Sequence, residues 1–299
     1  MAIEAQRKRF LIIANPSAGR KNARLVARVA ETLARKAARV DLVETKTAEA
    51  ARSALLSASD NNDAVVAAGG DGTIRALASM LGEMDSSLPL GVIPAGTGNV
   101  LANELGLPSN PVSLAELLLN GSTRAVRLMT ANGAPFLLMA SAGFDANVVR
   151  HLSVSIKQRV GRSAYALPTI GALLHQPPQP FELLLDAKPH AATWAIISNA
   201  RSYGGSFRLA PKASIFDDQL FAVLFGARTR LGRLKELLAL ATGRLEQCPS
   251  VHIVPCKHGL IRTPKHQPTH ADGDALGFGP VEIKASEHVV SLIAPDSAR

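Results

Sequence analysis

The stretch Ala64-Val-Val-Ala-Ala-Gly-Gly-Asp-Gly-Thr73 decides the fold of this chain. It begins with five small or β-branched apolar residues, a run that is typical of a strand buried on both faces of a sheet. A glycine-rich turn follows, and apolar residues then recur with helical spacing over residues 73–81. This order of strand, turn and helix predicts one unit of a parallel sheet covered by helices.

Similar units lie on both sides of this stretch. The apolar patterns predict strands over residues 10–14, 40–44 and 90–93, and helices over residues 18–36 and 48–57. Open parallel sheets bind ligands at the carboxyl ends of their strands, so the turns after Ala14, Ala68 and Ile93 are expected to share one edge. Three turns at one edge suggest one binding site.

Beyond about residue 124 the pattern changes to short apolar runs separated by turns, which favours a β-rich second domain. The predicted strands are residues 136–140, 181–185, 194–198, 220–225 and 251–254, and helices are predicted over residues 163–174 and 231–242. A last strand, residues 289–293, returns to the first domain. We therefore expect an α/β chain with a nucleotide-binding domain at residues 1–127 and 288–299 and a β-rich domain at residues 128–287.

The composition agrees with a folded two-domain protein. At 299 residues, with 47% hydrophobic and 19% charged residues, the chain can bury two cores. Two cysteines are too few for a disulfide framework, and no run approaches the roughly 20 apolar residues of a membrane span, so a cytoplasmic protein is expected. The net charge of +9 favours an anionic partner, but 4% aromatic residues argue against nucleic acid.

Two glycine-rich turns carry the chemistry, Gly69-Gly70-Asp71-Gly72-Thr73 and Pro94-Ala95-Gly96-Thr97-Gly98-Asn99. Such a turn before a helix exposes backbone N–H groups at the positive end of the helix dipole, which suits phosphate. Glycine is expected there because it tolerates positive φ and lets phosphate approach. Neither turn is a P-loop or a complete dinucleotide fingerprint, and each alone could be a mere chain reversal.

Six motifs carry a resemblance to a known family. They are Asn15-Pro16-Ser17-Ala18-Gly19-Arg20, the two glycine turns, Gly143-Phe144-Asp145-Ala146, Gly204-Gly205 with Leu209-Ala210-Pro211-Lys212-Ala213, and Asp272-Gly273-Asp274. In order and spacing, over nearly the whole chain, they resemble the signatures of the diacylglycerol kinase and sphingosine kinase family of lipid kinases. The similarity is greatest to small bacterial members that lack regulatory domains.

The resemblance implies a Rossmann-like, kinase/phosphofructokinase-like domain followed by a C-terminal β-sandwich, with the active site in the interdomain cleft. It implies that ATP is held by Asn15, Arg20, Thr45 and the five residues Gly69, Gly70, Asp71, Gly72 and Thr73, with Gly96, Thr97, Gly98 and Asn99 beneath the phosphates. It further implies Mg²⁺ as cofactor and a lipid substrate met at the membrane surface by peripheral contact. The sequence leaves a homodimer open.

Phosphoryl transfer needs carboxylates to position the metal and the nucleophile, and Asp71, Asp145 and Asp274 are the candidates. We expect Asp71 to position Mg²⁺–ATP or act as base, and Asp145 and Asp274 to serve the metal or the acceptor hydroxyl. Each also has a structural alternative. Asp71 and Asp145 could cap the helices that follow them, and Asp274 could occupy a turn.

The chain departs from the family pattern at four places. Asp274 stands where the family usually has Glu, and Arg75-Ala76 replaces the usual Asn-Glu. Gln219 replaces a glycine, and Ala222 replaces an acidic residue. If that segment holds a structural Mg²⁺ in relatives, Asp218 is the candidate ligand that remains in this chain.

Three hypotheses follow for the function: a lipid kinase, a kinase for a soluble acceptor such as NAD, and a nucleotide-binding regulator without catalysis. A separate choice concerns residues 231–242. Their apolar residues Leu231, Leu234, Leu238 and Ala241 fit either a helix packed on the core of the second domain, which the pattern favours, or an amphipathic helix resting on anionic lipid.

Overall fold

The computed structural model describes residues 6–16, 19–36, 38–58, 61–150, 171, 173, 178–205 and 207–298. The chain divides into two compact units, Met1–Leu128 with Glu287–Arg299, and Met129–Ser286. The first is an α/β unit and the second is a β-rich unit.

A parallel sheet forms the centre of the first unit. Its strands are β1 (Arg9–Ala14), β2 (Arg39–Glu44), β3 (Ala64–Gly69) and β4 (Leu90–Pro94), in the order β2-β1-β3-β4. The last part of a terminal strand extends this sheet, because Leu292 pairs in parallel with Leu90. All six residues of β3 are buried, as a central strand covered on both faces requires. The predicted parallel sheet is confirmed.

The helices described for this unit are α1 (Gly19–Arg35), α2 (Ala48–Ala58), α3 (Asp71–Glu83), α4 (Val100–Leu105) and α5 (Pro111–Asn120). Three of them, α1 to α3, connect these strands, and the other two, α4 and α5, follow β4. The start of α5 shows how local sequence sets a boundary, because the Asn110 side chain accepts from Val112 N at 2.8 Å and proline occupies the first turn.

The second unit is a β-sandwich with two sheets. It contains the end of β5 (Ser122–Ala131), whose first part belongs to the first unit, and the start of β18 (Val281–Ala294), whose last part does. Between them lie β6 (Ala134–Phe136), β7 (Met139–Ala142), α6 (Phe144–Arg150), β8 (Phe181–Leu185), β9 (Lys188–Ala192), β10 (Trp194–Ser198), β11 (Ser202–Tyr203), β12 (Phe207–Arg208), β13 (Leu220–Phe225), α7 (Arg230–Ala241), β14 (Val251–Cys256), β15 (Gly259–Arg262), β16 (Pro268–Ala271) and β17 (Asp274–Phe278). One sheet has the order β14-β13-β10-β7-β16-β17, and in the other β18, β15, β8 and β9 are successive neighbours. Residues such as Ile197 and Leu183, one from each sheet, share one buried core.

The single strand predicted over residues 136–140 is wrong, because the structure contains two strands there. The backbone N–H groups of Leu137, Leu138 and Met139 donate to the carboxylate of Asp272 at 2.7, 3.0 and 3.0 Å. A distant side chain therefore takes donors that a continuous strand would offer to its neighbours. The terminal strand is also longer than predicted, since β18 begins at Val281.

Helix α7 packs through the face opposite to the one predicted. Leu231, Leu234 and Leu238 are exposed, whereas Arg233 and Glu236 are buried. The buried residues form an ion pair, with Arg233 Nη1 2.8 Å from Glu236 Oε2. The prediction that the leucines pack on the core is therefore wrong, because a paired and hydrogen-bonded ion pair occupies that face.

The helix predicted over residues 163–174 lies, except for Gly171 and Leu173, outside the described residues. Within the described part of the chain, no helix combines the length and apolar character needed to cross a membrane.

Candidate nucleotide site and buried carboxylate network

The carboxyl edge of the parallel sheet brings four loop starts together. Asn15 N donates to Ala68 O at 3.1 Å, and Thr45 N donates to Ala14 O at 3.0 Å. Ala95 N donates to Gly69 O at 2.9 Å in the same way. Each residue that follows a strand is thus bonded to the end of the neighbouring strand, so the predicted nucleotide residues of these loops share one edge.

The two glycine turns touch backbone to backbone. A Cβ atom on Gly96 would lie 2.3 Å from Gly70 Cα, which is closer than real Cβ contacts allow. The expectation that these glycines serve positive φ is wrong, since none of Gly69, Gly70, Gly72, Gly96 and Gly98 has a positive φ. Close approach of two chains is what excludes a side chain at Gly96.

Asn99 is the residue of the second turn that adopts the left-handed conformation, with φ 48°. Its Oδ1 accepts from Gly96 N at 2.9 Å, and its Nδ2 donates to Gly96 O at 3.0 Å. Asparagine tolerates this conformation because its short amide can bond the local backbone. The Asn99 side chain therefore shapes the turn.

Asp71 links the two turns. Its Oδ2 accepts from Val100 N at 3.0 Å and its Oδ1 accepts from Leu101 N at 2.9 Å, at the start of α4. The structural alternative, in which Asp71 caps the helix that follows it, is wrong. Asp71 is the first residue of α3, and its carboxylate caps the start of α4 instead. Burial raises the pKa of Asp71 above its ordinary value, although these backbone hydrogen bonds oppose the rise.

The start of α3 has room for an anion. Its N-cap residue, Gly70, offers no capping side chain, and a Cβ atom on Gly72 would meet nothing within 4 Å. Helix N-termini with free space and backbone donors suit phosphate, so the residues present fit the phosphates of ATP. Asn15 reaches the same turn, with its Nδ2 3.5 Å from Thr73 Oγ1. The side chain of Arg20 lies outside the described residues.

Asp145 is the centre of a second polar cluster, in the β-rich unit. Its side chain is buried in the first turn of α6, which begins at Phe144, so Asp145 does not cap that helix. Ser141 Oγ donates to Asp145 Oδ1, while His270 Nε2 and Tyr203 OH lie 3.1 and 3.3 Å from Oδ2. The carboxylate is therefore held by side chains from three other segments.

The pKa of Asp145 shifts in the opposite direction to that of Asp71. Burial alone would raise it, but the electrostatic attraction of His270 and the hydrogen bonds from His270 and Ser141 hold the pKa below its ordinary value. A carboxylate of this kind stays ionised, so it is suited to accept a hydrogen bond or attract a cation rather than to take up a proton.

Asp274 occupies a different environment. It is exposed at the first residue of β17, and α6 packs against both β16 and β17. Asp145 and Asp274 therefore lie on neighbouring elements. Ser141, Tyr203 and His270 were not predicted from the sequence, because their relation to Asp145 depends on sheet pairing. The one available signal was the position of His270 two residues before the Asp272-Gly273-Asp274 motif.

Asp218, the remaining candidate ligand for a structural metal, is exposed just before β13. The neighbouring Gln219 donates through Nε2 to Leu220 O at 3.0 Å and to Cys256 O at 2.8 Å, and Ala222 is buried. In the part of the chain that the structure describes, no three His, Cys, Asp or Glu residues are grouped to hold a metal ion. Metal binding at Asp218 stays a prediction.

Comparisons with known families agree with this architecture. Residues 9–131 match the model of the family described as the diacylglycerol kinase catalytic domain. Residues 139–294 match the model described as the YegS C-terminal NAD kinase beta sandwich-like domain. A solved structure of a diacylglycerol kinase from Bacillus anthracis covers 99% of this chain with a TM-score of 0.71 and 17% sequence identity, and so shares the fold.

Curated relatives align over long stretches. The diacylglycerol kinase of Mycobacterium tuberculosis (strain H37Rv) is 31% identical over 86% of this chain and 85% of its own length. The diacylglycerol kinase of Bacillus subtilis is 27% identical over 78% of each chain. A probable lipid kinase YegS-like protein of Pseudomonas fluorescens is 33% identical over 60% of each chain. With both domain models matched in order, this chain belongs to the diacylglycerol kinase family that includes the YegS-like lipid kinases.

Proposed function

We propose that this protein is an ATP-dependent lipid kinase that transfers the γ-phosphate of ATP to a hydroxyl group of a diacylglycerol-like or sphingoid lipid. The observation that supports it most is the pair of interlocked glycine turns at the carboxyl edge of the parallel sheet. Relatives with the same two domains are named diacylglycerol kinases or lipid kinases. The protein would act from the cytoplasm and meet its substrate by peripheral contact with a membrane.

ATP would be held by Asn15, Arg20, Thr45 and the two glycine turns. The open N-terminus of α3 offers backbone N–H donors to the phosphates, and the contact between Gly70 and Gly96 holds the turns together. Mg²⁺, bound with the nucleotide, would neutralise phosphate charge during transfer. Asp71 could serve that ion only through lone pairs that remain after its two backbone hydrogen bonds.

The three candidate carboxylates would then have different roles. Asp71 maintains the turns that receive the phosphates, in addition to any role in positioning Mg²⁺. Asp145, which is buried and ionised, would orient a hydroxyl or cation. Asp274 is exposed and its carboxylate is one methylene shorter than the usual Glu, so it would serve the acceptor hydroxyl with reduced reach.

An assay with radiolabelled ATP and Mg²⁺ tests the proposal directly. The purified protein is given diacylglycerol, sphingosine and NAD separately, and products are identified by mass spectrometry. Label in a lipid phosphate that is lost in Asp71→Ala supports a lipid kinase. Label in NAD alone would show instead a kinase for a soluble acceptor.

A third outcome bears on the departures at Ala76, Gln219, Ala222 and Asp274. ATP binding measured by calorimetry, without turnover of any acceptor over a range of Mg²⁺ concentrations, would replace the kinase proposal with a nucleotide-binding regulator. Sedimentation of the same sample measures whether the protein is a homodimer.

A further inference from the structure

Helix α7 has two faces of unusual character. Its buried residues Arg233, Glu236 and Leu240 follow the spacing i, i+3, i+7. Leu231, Leu234 and Leu238 have the same spacing, and each lies two positions before one of the buried residues. Their side chains are 64%, 39% and 56% exposed. Two positions correspond to a rotation of about 200° around a helix, so the leucines lie opposite the buried face. The apolar face of this helix points to solvent.

The buried face is anchored by polar contacts that prevent rotation of the helix. Arg233 Nη2 donates to Thr193 Oγ1 at 2.6 Å, and its guanidinium lies 5.2 Å from the ring centroid of Trp194. Glu236 Oε1 accepts from Ala227 N at 2.9 Å and from Ser250 Oγ at 2.8 Å. Exposing this pair would break all of these bonds, whereas a helix held only by hydrophobic contact would turn its leucines inward. The anchored pair keeps the leucines on the outside.

A second element places an exposed aromatic residue beside this helix. Strand β12 (Phe207–Arg208) lies beside α7, and the Phe207 side chain is 43% exposed. We call Phe207, Leu231, Leu234 and Leu238 the apolar patch. Single exposed apolar residues are common, but three leucines along one helix face with a neighbouring phenylalanine mark an interaction surface.

Basic residues flank the apolar patch. Exposed cations of this region are Arg208, Arg228, Arg230, Lys235 and Arg244. Of the two acidic residues in residues 226–247, Glu236 is buried and Glu246 is exposed. In the described part of the chain no ion pair engages Arg228, Arg230, Lys235 or Arg244. The patch is thus apolar at its centre with excess positive charge around it.

We infer that the apolar patch on α7 and β12 is a docking surface for an anionic lipid bilayer. An apolar helix face bordered by Lys and Arg lies in the headgroup region with its leucines among the acyl chains and its cations near anionic headgroups. A symmetric pairing of two copies through the same patch would bring the cations together, so charge favours the bilayer. The inference rests on the proposed function in one respect: a lipid kinase has a substrate that lies in a membrane.

Vesicle binding tests the inference without catalysis. The protein is sedimented, in the absence of ATP, with vesicles of phosphatidylglycerol and phosphatidylcholine in equal parts and with vesicles of phosphatidylcholine alone. Leu234→Gln/Leu238→Gln is compared with Leu42→Gln/Leu56→Gln, whose leucines are exposed in the first unit at 48% and 60%. We expect the first pair to weaken binding about tenfold or more and the control pair to leave it within about twofold.

The charges are tested separately. Lys235→Gln/Arg244→Gln should weaken binding to the phosphatidylglycerol vesicles by roughly tenfold and reduce its dependence on salt. Binding to phosphatidylcholine alone should change little. The control Lys188→Gln/Lys265→Gln removes two exposed lysines of the same unit and should have no comparable effect. Unchanged melting temperatures establish that each variant is folded.

The outcomes distinguish this inference from the proposed function. If the α7 variants bind vesicles as well as the unmodified protein does, the inference is overturned even when lipid is phosphorylated. If wild-type binding is lost in the α7 variants but no lipid is phosphorylated, the docking surface stands and the lipid kinase proposal fails. Loss of self-association in the leucine variants, with no vesicle binding by the unmodified protein, would assign the patch to a second copy.

Discussion

Two candidate carboxylates, the half-buried Asp71 in the α/β unit and the buried Asp145 in the β-rich unit, are held in opposite ways. Asp71 receives two backbone N–H groups from the start of α4, whereas Asp145 receives the side chains of Ser141, Tyr203 and His270. Burial raises the pKa of both. At Asp71 this effect of burial prevails and the pKa is raised. At Asp145 the attraction of His270 outweighs burial and the pKa is lowered. The chemical nature of the partners, and not burial, decides which carboxylate is firmly ionised.

The difference also separates two kinds of site. Around Asp71 the important atoms belong to the backbone, so the sequence must supply glycine at the points where two chains meet. Around Asp145 the important atoms belong to side chains that are distant in sequence. The first region should therefore be sensitive to added volume, and the second to the loss of charge or of a hydrogen-bond donor.

The largest expected effect comes from Gly96→Ala. The new Cβ would lie 2.3 Å from Gly70 Cα, so one turn must move, and we expect a loss of roughly 1–3 kcal/mol in stability together with loss of ATP binding. Gly72→Ala is the matched control for stability alone, because its Cβ would meet no protein atom within 4 Å but would enter the space proposed for phosphate. Chemical denaturation and calorimetry measure both effects. Equal stability of the two variants would contradict the conclusion that the contact between Gly96 and Gly70 excludes a side chain at Gly96.

A second large effect is expected for Asp145→Asn. The amide cannot replace an ionised carboxylate between His270, Ser141 and Tyr203, and we expect about 1–3 kcal/mol of destabilisation at neutral pH. Because the folded pKa of Asp145 is lowered, its stabilising contribution is present above the ordinary value of 3.8 and is lost as pH falls through the folded pKa. Urea titrations should show the difference between wild type and variant shrinking in acid. A difference that grew in acid would reverse the assigned shift.

Asp71→Asn should have a smaller effect on stability, of about 1 kcal/mol, because one amide oxygen can still accept a backbone hydrogen bond. Its raised pKa gives the opposite pH dependence, so protonation of wild-type Asp71 favours the folded state as pH falls. ATP affinity should fall because the amide nitrogen faces an N–H group and the turns separate.

Asp274→Asn, at an exposed site, should keep full stability and affect only turnover.

The smallest effect is expected at the buried thiol of Cys256. Burial, followed by the nearby charge of Asp186, raises the pKa of this thiol to about 12. Native protein at pH 8 should therefore resist alkylation at Cys256 while the partly exposed Cys248 reacts. Peptide mapping after iodoacetamide treatment measures both sites. Rapid modification of Cys256 in folded protein would contradict the burial of this thiol and its raised pKa.

Local patterns were sufficient for the elements whose boundaries depend on neighbours in sequence. The run of apolar residues before Gly69 predicts the buried parallel strand, and the glycine turn predicts a helix from residue 73, two residues after its observed start at Asp71. The break at Leu137 and Leu138 was not predictable in this way, since it depends on the Asp272 carboxylate from a distant turn. The leucines of α7 were misassigned because helical spacing reports that a face is apolar, not which way it points.

For the site, the sequence by itself predicted which residues would receive phosphate, because glycine turns after strands expose backbone donors, and the order and spacing of the motifs identified the family. It also supplied the three acidic candidates. Only the tertiary structure decided that Gly96 contacts Gly70, that Asp71 caps α4, and that His270 contacts Asp145. The physical reason is that side-chain contacts and pKa shifts depend on distances between segments far apart in the chain, which no local pattern records.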